Sequence, residues 1–215
     1  MMSYADSGPT LFVALVLGVI VCPPRNCTVA QTASPADRGI KLDGVTPEAA
    51  IRTFYNALAR GDARSAFRLL VTPAEMAEWT EIQANMSVSF QRLGTAAVFQ
   101  FGDDGKLLQV SVPAEIALRK LDTIKPIQDG DTAEWRINPK VPMKMKRVHG
   151  HWRLDLYSSF KTRAHLRQIN AVHRRVAAYV GRIATEIADG KFESVADVRE
   201  EFKRQREAMN NDFAK

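Results

Sequence analysis

Glu134-Trp135-Arg136-Ile137-Asn138-Pro139-Lys140-Val141-Pro142-Met143-Lys144-Met145-Lys146-Arg147-Val148-His149-Gly150-His151-Trp152-Arg153-Leu154-Asp155-Leu156 reads as three successive β-strands. Apolar residues alternate with charged or polar ones through Ala133, Trp135 and Ile137, then through Val141, Met143 and Met145, then through Trp152, Leu154 and Leu156. That is the period of a half-buried antiparallel sheet. Asn138-Pro139 and His149-Gly150 punctuate the runs as turns. The segment is therefore a meander with one dry face, and Glu134 and Asp155 fall on the other face. Something apolar must lie across the dry side.

The candidates for that cover stand upstream. Thr46-Pro47-Glu48 opens a helix, with Thr46 as its N-cap, Pro47 where the missing donor costs nothing, and Glu48 against the positive helix end. Ile51, Phe54, Tyr55 and Leu58 form its apolar stripe. Gly61-Asp62 stops it and caps a second helix from Ala63 to Val71, which buries Ala66, Phe67 and Leu70. Thr72-Pro73-Ala74-Glu75 carries a capping box and opens a third. There Met76, Trp79, Met86 and Phe90 recur at helical spacing, and the pattern ends near Leu93-Gly94. Two strands are expected between Thr95 and Val112, flanking Gly102-Asp103-Asp104-Gly105, because Asp-Gly is a strong hairpin signal. A further strand is expected from Glu115 to Leu121. Helices followed by a continuous antiparallel sheet predict an α+β layer.

The first helix, Thr46 to Asp62 with its Gly-Asp ending, resembles the opening helix of the NTF2-like superfamily. The strand at Asp131-Thr132-Ala133-Glu134, the basic strand after Val141-Pro142-Met143, and Gly150-His151-Trp152-Arg153-Leu154-Asp155 resemble that superfamily's last strands. The likeness spans roughly residues 46–160. It implies a cone, a curved sheet wrapped around a long helix with a pocket at the wide end, of the kind used by ketosteroid isomerase, by polyketide cyclases and by many non-enzymatic binding modules. The aromatic and sulfur side chains expected to line that pocket are Tyr55, Trp79, Phe99, Trp135, Met143 and Trp152.

Beyond Phe160 the NTF2-like pattern requires nothing more. A long helix from Lys161 to Asp189 places Leu166, Ile169, Val176, Val180, Ile183 and Ile187 on one stripe. Asp189-Gly190 ends it, and Ser194 with Asp197 opens a last helix through Val195, Val198, Phe202 and Met209. The expected organisation is a leader at 31–45, an NTF2-like domain at 46–160 and a C-terminal helical hairpin at 161–215.

A hydrophobic content of 46% and a charged content of 25% in 215 residues are values of a globular chain, not a disordered one. The net charge of +6 is unevenly spread: Lys140 to Arg175 holds ten Lys or Arg against one acid, Asp155. Lys144, Lys146, Arg163, Arg167, Arg174 and Arg175 are the candidates for binding an anionic surface. An anionic envelope surface fits them better than nucleic acid, because the N-terminus reads as an export signal. Leu11 to Val21 is a continuous apolar run, shorter than the roughly 20 residues of a spanning helix. Thr28-Val29-Ala30 suits a signal peptidase, so residues 1–30 are expected to be removed after Ala30 and the mature chain to be periplasmic or extracellular. Cys22 and Cys27 precede that cut, which leaves no cysteine for disulfides, thiolate chemistry or zinc. A lipid on Cys22 is the alternative.

No Gly-x-Ser-x-Gly elbow, phosphate-binding loop or dinucleotide fingerprint is present, and nothing calls for a cofactor. An isomerase in such a cone needs an inward carboxylate or imidazole, and Glu134 and Asp155 have the wrong parity. His149-Gly150-His151 reads as a turn with solvated imidazoles rather than a metal pair. His165 reads as a solvated helix residue. His173 shares a row with Leu166, Val180 and Ile187, a seam position that makes helix packing sensitive to acid. The expected function is a non-catalytic binding or assembly module that holds a small apolar ligand or a protein partner, with a homodimer left open. The alternative is a small-molecule isomerase, cyclase or hydrolase in the cone pocket.

Overall fold

A computed structural model describes residues 45–136, 142–160 and 162–213. The expected export signal, nearly all of the expected leader, Ile137, the expected Asn138-Pro139 turn, Lys140, Val141 and Lys161 lie outside the described residues. The described chain is α+β, with six α-helices and a four-stranded antiparallel sheet. It forms two compact units, one of residues 45–90 and 111–178 and one of 91–110 and 179–213, and the division falls inside both long helices. Among the described residues no helix is long and apolar enough to cross a membrane.

The first unit contains the sheet. Helix α1 (Pro47–Ala59) starts where the sequence places it, with Thr46 Oγ1 accepting from the Ala49 N–H at 3.1 Å. It buries Ala50, Ile51, Phe54, Ala57 and Leu58. Helix α2 (Ala63–Phe67) is capped by Asp62, which accepts from the Ser65 N–H at 2.9 Å. The chain then runs through Leu69 and Leu70 alongside the sheet: the Leu154 N–H donates to Leu69 C=O at 2.8 Å and the Val71 N–H to Leu154 C=O at 3.0 Å. This parallel bridge at Leu70 covers part of what would otherwise be an open sheet edge. Helix α3 (Pro73–Phe101) contributes its first part to this unit.

The strand expected at Glu115–Leu121 is instead helix α4 (Pro113–Thr123). Pro113 opens it, Glu115 sits in its first turn, and Ala114, Ala117 and Leu121 are buried at spacings of three and four, the period of a helix face rather than of a strand. Its end is tied to the start of α1 by Arg52–Asp122 at 3.0 Å and Lys125–Glu48 at 2.9 Å.

Strands β1 (Ile127–Asp129), β2 (Thr132–Trp135), β3 (Met143–Val148) and β4 (His151–Asp155) follow in spatial order β1-β2-β3-β4. The sequence reading missed β1, a three-residue strand exposed throughout. The other three form the expected meander, in a register that sets Ala133, Met145 and Leu154 side by side on the dry face. Those three residues, Trp135 and Trp152 are each 0–3% exposed. At roughly 1.5–3 kcal/mol per large apolar side chain removed from water, this face is the main local source of stability. Trp135 also donates its Nε1–H to Ile124 C=O at 2.6 Å, so its one polar atom is not stranded. The β3–β4 connection is a two-residue turn with His149 at φ 50° and Gly150 at φ 80°, a left-handed pair that matches the twist of the strands it joins.

The second unit is helical. Neither of the strands expected between Thr95 and Val112 exists: α3 continues through Gly94 to Phe101, and residues Gly102–Leu108 form a 3-10 helix. Leu93 and Ala97, one turn apart and 0–1% exposed, reward continuation of the helix, which outweighs the cost of roughly 1 kcal/mol for a helical glycine. The Asp104-Gly105 pair makes no hairpin. A Cβ on Gly105 would stand 2.1 Å from the Ala97 carbonyl oxygen, so this glycine lets the 3-10 segment close onto α3. Helix α5 (Arg163–Ala188) ends in this unit and α6 (Val195–Phe213) completes it, as expected. At the start of α6, Ser194 and Asp197 cap each other reciprocally, with Asp197 Oδ2 accepting from the Ser194 N–H at 2.9 Å. Val195, Val198, Phe202 and Met209 are buried.

Candidate functional site

The pocket-lining candidates are only partly brought together. Tyr55 stands edge-on to Phe54 and to Trp135, with ring centroids 5.2 and 6.1 Å apart, and Met143 lies opposite Trp135 in the sheet register. Burial pushes the Tyr55 phenol well above its ordinary value, so it stays protonated. Trp152, on the dry face of β4, is 2% exposed and offers almost no surface. Trp79 meets Phe160 at 6.4 Å, and Phe160 in turn meets His165 at 6.4 Å. Phe99, expected on a strand, is on α3 in the helical unit and 85% exposed. It is removed from the set because a helix, unlike the expected strand, turns that position outward.

The basic candidates are largely matched by acids. Lys146 reaches Asp155 at 3.1 Å, Arg163 reaches Glu75 at 3.6 Å, and Arg174 is bonded to Glu78. Lys144 is exposed but has Glu134 and Asp155 as its cross-strand neighbours. Arg167 and Arg175 are exposed along α5. Neighbouring carboxylates discharge much of the field that a run of ten cations suggests. Asp155 itself differs from expectation: it keeps the parity of the solvent face yet is 8% exposed. The turn at Tyr157–Ser159 closes over it, and Oδ1 accepts from the Ser158 N–H at 3.3 Å.

A polar layer missed by the sequence reading lies where α3 meets α5 inside the sheet unit. Thr80, Gln83 and Ser87 of α3 and Asn170 and His173 of α5 are all buried. Thr80 and Ser87 return their hydroxyls to their own helix, donating to Met76 C=O at 2.8 Å and Gln83 C=O at 3.0 Å. Gln83 donates its Nε2–H to His173 Nδ1 at 2.7 Å. Asn170 donates to Glu78 Oε2 at 3.0 Å, and its own buried Oδ1 has no hydrogen-bond partner among the described residues. The Asn170 contact, aided by Arg174, holds the Glu78 carboxyl below its usual value. Burial lowers the His173 imidazole to about 4, so at neutral pH it is uncharged. The spacing Thr80, Gln83, Ser87 continues the apolar row from Met76 and was legible as a polar stretch of a core stripe. His165, expected in solvent, is half-buried, and its enclosed Nδ1 has no hydrogen-bond partner among the described residues.

In the helical unit, Tyr179 stacks edge-on against Phe202 at 5.3 Å under the Arg182 guanidinium at 5.2 Å. Arg182 bridges Glu186 at 3.0 Å and Glu201 at 3.2 Å. Burial, reinforced by Glu201, pushes the Tyr179 phenol well up. His149, in the β3–β4 turn, and His151, the first residue of β4, are exposed. Among the described residues no group of three or more His, Cys, Asp or Glu is placed to hold a metal ion. Comparison with protein-family models, curated proteins and solved structures finds no match to this chain.

Proposed function

We propose that this protein is an exported, non-catalytic binding or assembly module of NTF2-like cone type, processed near Ala30. One observation carries the reading. Among the described residues Asp155 is the buried carboxylate and His173 the buried imidazole, and each is engaged by a neighbour, Asp155 by Lys146 and Ser158, His173 by Gln83. A general base needs an open approach to its substrate proton, and these two groups are occupied in holding strands and helices together. The pairing of Lys146, Arg163 and Arg174 with acids favours a small apolar ligand or a protein partner over an anionic surface. The half-buried Tyr55 and Met143, which flank the enclosed Trp135, are where such a ligand would sit.

Native mass spectrometry of the protein recovered from the envelope fraction of its own cells, set beside the denatured mass, tests this. The expected result is a chain starting at Gln31 that carries a non-covalent small-molecule mass, a partner or a second copy. A bare monomer retaining Met1 in the soluble cell interior would overturn it.

A further inference from the structure

The outer face of the sheet holds positive charge that its own acids do not balance. Lys144 and Lys146 stand on the same face of β3, opposite Asp155 and Arg153 of β4 in the register. The four positions form a square. Directly opposed Cβ atoms lie about 5 Å apart, next-but-one residues of a strand about 7 Å apart, and Lys144 and Arg153 share a diagonal of about 7–8 Å. Three corners are cations. The fourth, Asp155, is 8% exposed with both oxygens taken, Oδ2 by Lys146 at 3.1 Å and Oδ1 by the Ser158 N–H at 3.3 Å. Glu134, the other cross-strand neighbour of Lys144, is held by Arg136, whose Nε and Nη2 both donate to Oε2, at 3.1 and 2.8 Å. The Lys144 ammonium and the half-buried Arg153 guanidinium therefore have no hydrogen bond or ion pair among the described residues. Arg153 instead faces Lys146, and like charges directly opposite one another destabilise a sheet. Arg136, Lys144, Lys146 and Arg153 against Glu134 and Asp155 leave two positive charges unmatched on this face.

We propose that Lys144, Lys146 and Arg153 form a binding site for one phosphate group carried by a small molecule. A phosphate monoester brings about −1.5 to −2 charges at pH 7 and three strong acceptor oxygens, which matches both the unmatched charge and the number of cationic corners. A carboxylate supplies half that charge. The guanidinium offers paired N–H donors to two phosphate oxygens, and the two ammonium groups act as point charges beside it. The square has room for a single group and does not extend into a basic plain. Beyond Lys144 in its row stand Glu134 and Ile127, beyond Lys146 stands Thr132, and Val148 and His151 lie next along the strands. Arg163 and Arg174, the cations that would widen it, are paired with Glu75 and Glu78. This geometry suits a small phosphorylated ligand rather than a membrane. The site is on the face of the sheet opposite Trp135, so it stands or falls apart from the proposed function.

Titration of the full chain with inorganic phosphate at pH 7.5 and constant ionic strength, followed by nitrogen-15 NMR of the backbone amides and of the Arg153 Nε–H, tests it. Acetate serves as the monoanion, and phosphatidylcholine vesicles containing phosphatidate serve as the membrane. The expected result is a saturable, one-site response at Lys144, Lys146 and Arg153, at least roughly 10-fold tighter for phosphate than for acetate. Arg153→Gln is expected to weaken it at least roughly 10-fold, by removing a charge-assisted hydrogen bond. Lys144→Gln, at an exposed position where the fold does not depend on the side chain, is expected to do the same. Lys203→Gln lowers the net charge equally at an exposed site on α6 and is expected to change nothing. No saturable response, equal affinity for acetate, equal weakening by Lys203→Gln and Lys144→Gln, or binding of the vesicles without binding of inorganic phosphate would overturn the proposal.

Discussion

Gly105→Ala is the sharpest test of how the helical unit is built. The added methyl would lie 2.1 Å from the Ala97 carbonyl oxygen, 2.3 Å from its carbon and 2.6 Å from the Val98 nitrogen, all backbone atoms of α3. None of these can swing away as a side chain does, so the 3-10 segment must withdraw by about an ångström to reach ordinary contact. Withdrawal uncovers Leu108, now 1% exposed. Overpacking of this kind costs about 1–3 kcal/mol, offset by up to about 1 kcal/mol from the stiffer unfolded chain. Gly102→Ala is the control: nothing stands within 4 Å of its added methyl, and only its φ of +60° is unfavourable, at about 1–2 kcal/mol before the same offset. Because the clash is with backbone, the cost of Gly105→Ala is expected at the upper end of its range, about 3 kcal/mol, so urea unfolding followed by far-ultraviolet circular dichroism, with hydrogen exchange over 97–108, should rank it as the more damaging, by about 1 kcal/mol. A Gly105→Ala protein as stable as the wild type, or more stable than Gly102→Ala, would mean that the 102–108 segment does not close on α3.

Three further outcomes follow from named contacts. Trp152→Ala empties an enclosed site on the dry face of the sheet and should cost about 3–5 kcal/mol in urea unfolding; a loss below about 1 kcal/mol would contradict the packed sheet face. His149→Asn should raise stability by up to about 1 kcal/mol, since asparagine tolerates the φ of 50° better in this turn; a fall in melting temperature would argue against the left-handed pair. Stability should also decline with acid because of His173, whose folded-state value is depressed. The stabilisation is fully present above about pH 6.5 and is lost as pH falls towards 4, by about 3 kcal/mol at most. Glu78, held below the ordinary carboxylate value, adds its own loss only at lower pH. Urea midpoints in the wild type and in His173→Gln measure this, and parallel pH profiles would refute it.

The elements legible from sequence were those whose local signals agree with their burial. The meander from Thr132 to Asp155 and α1 from Pro47 to Ala59 each carry a clean hydrophobic period and a proper cap or turn, so short-range rules suffice for them. Of the candidate site, the seam position of His173 was readable from its row. Its partner Gln83 was not, because no period says which polar residue of another helix, 90 positions away, will face it. The pairing of Arg163 and Arg174 with Glu75 and Glu78 was hidden for the same reason.

Sequence alone determined the class of the fold, the dry face of the sheet, the caps of α1 and α6 and the uneven charge, since these depend on neighbours within one or two turns of chain. Tertiary structure decided what happens from Thr95 to Leu121. There Gly94 interrupts the helical pattern, an Asp-Gly pair signals a turn and β-branched residues favour strands, yet the long-range burial of Leu93, Ala97, Leu108, Ala117 and Leu121 makes helices instead. A propensity of a few tenths of a kcal/mol per residue yields to side chains each worth roughly 1.5–3 kcal/mol when buried, and only the folded chain shows which ones those are.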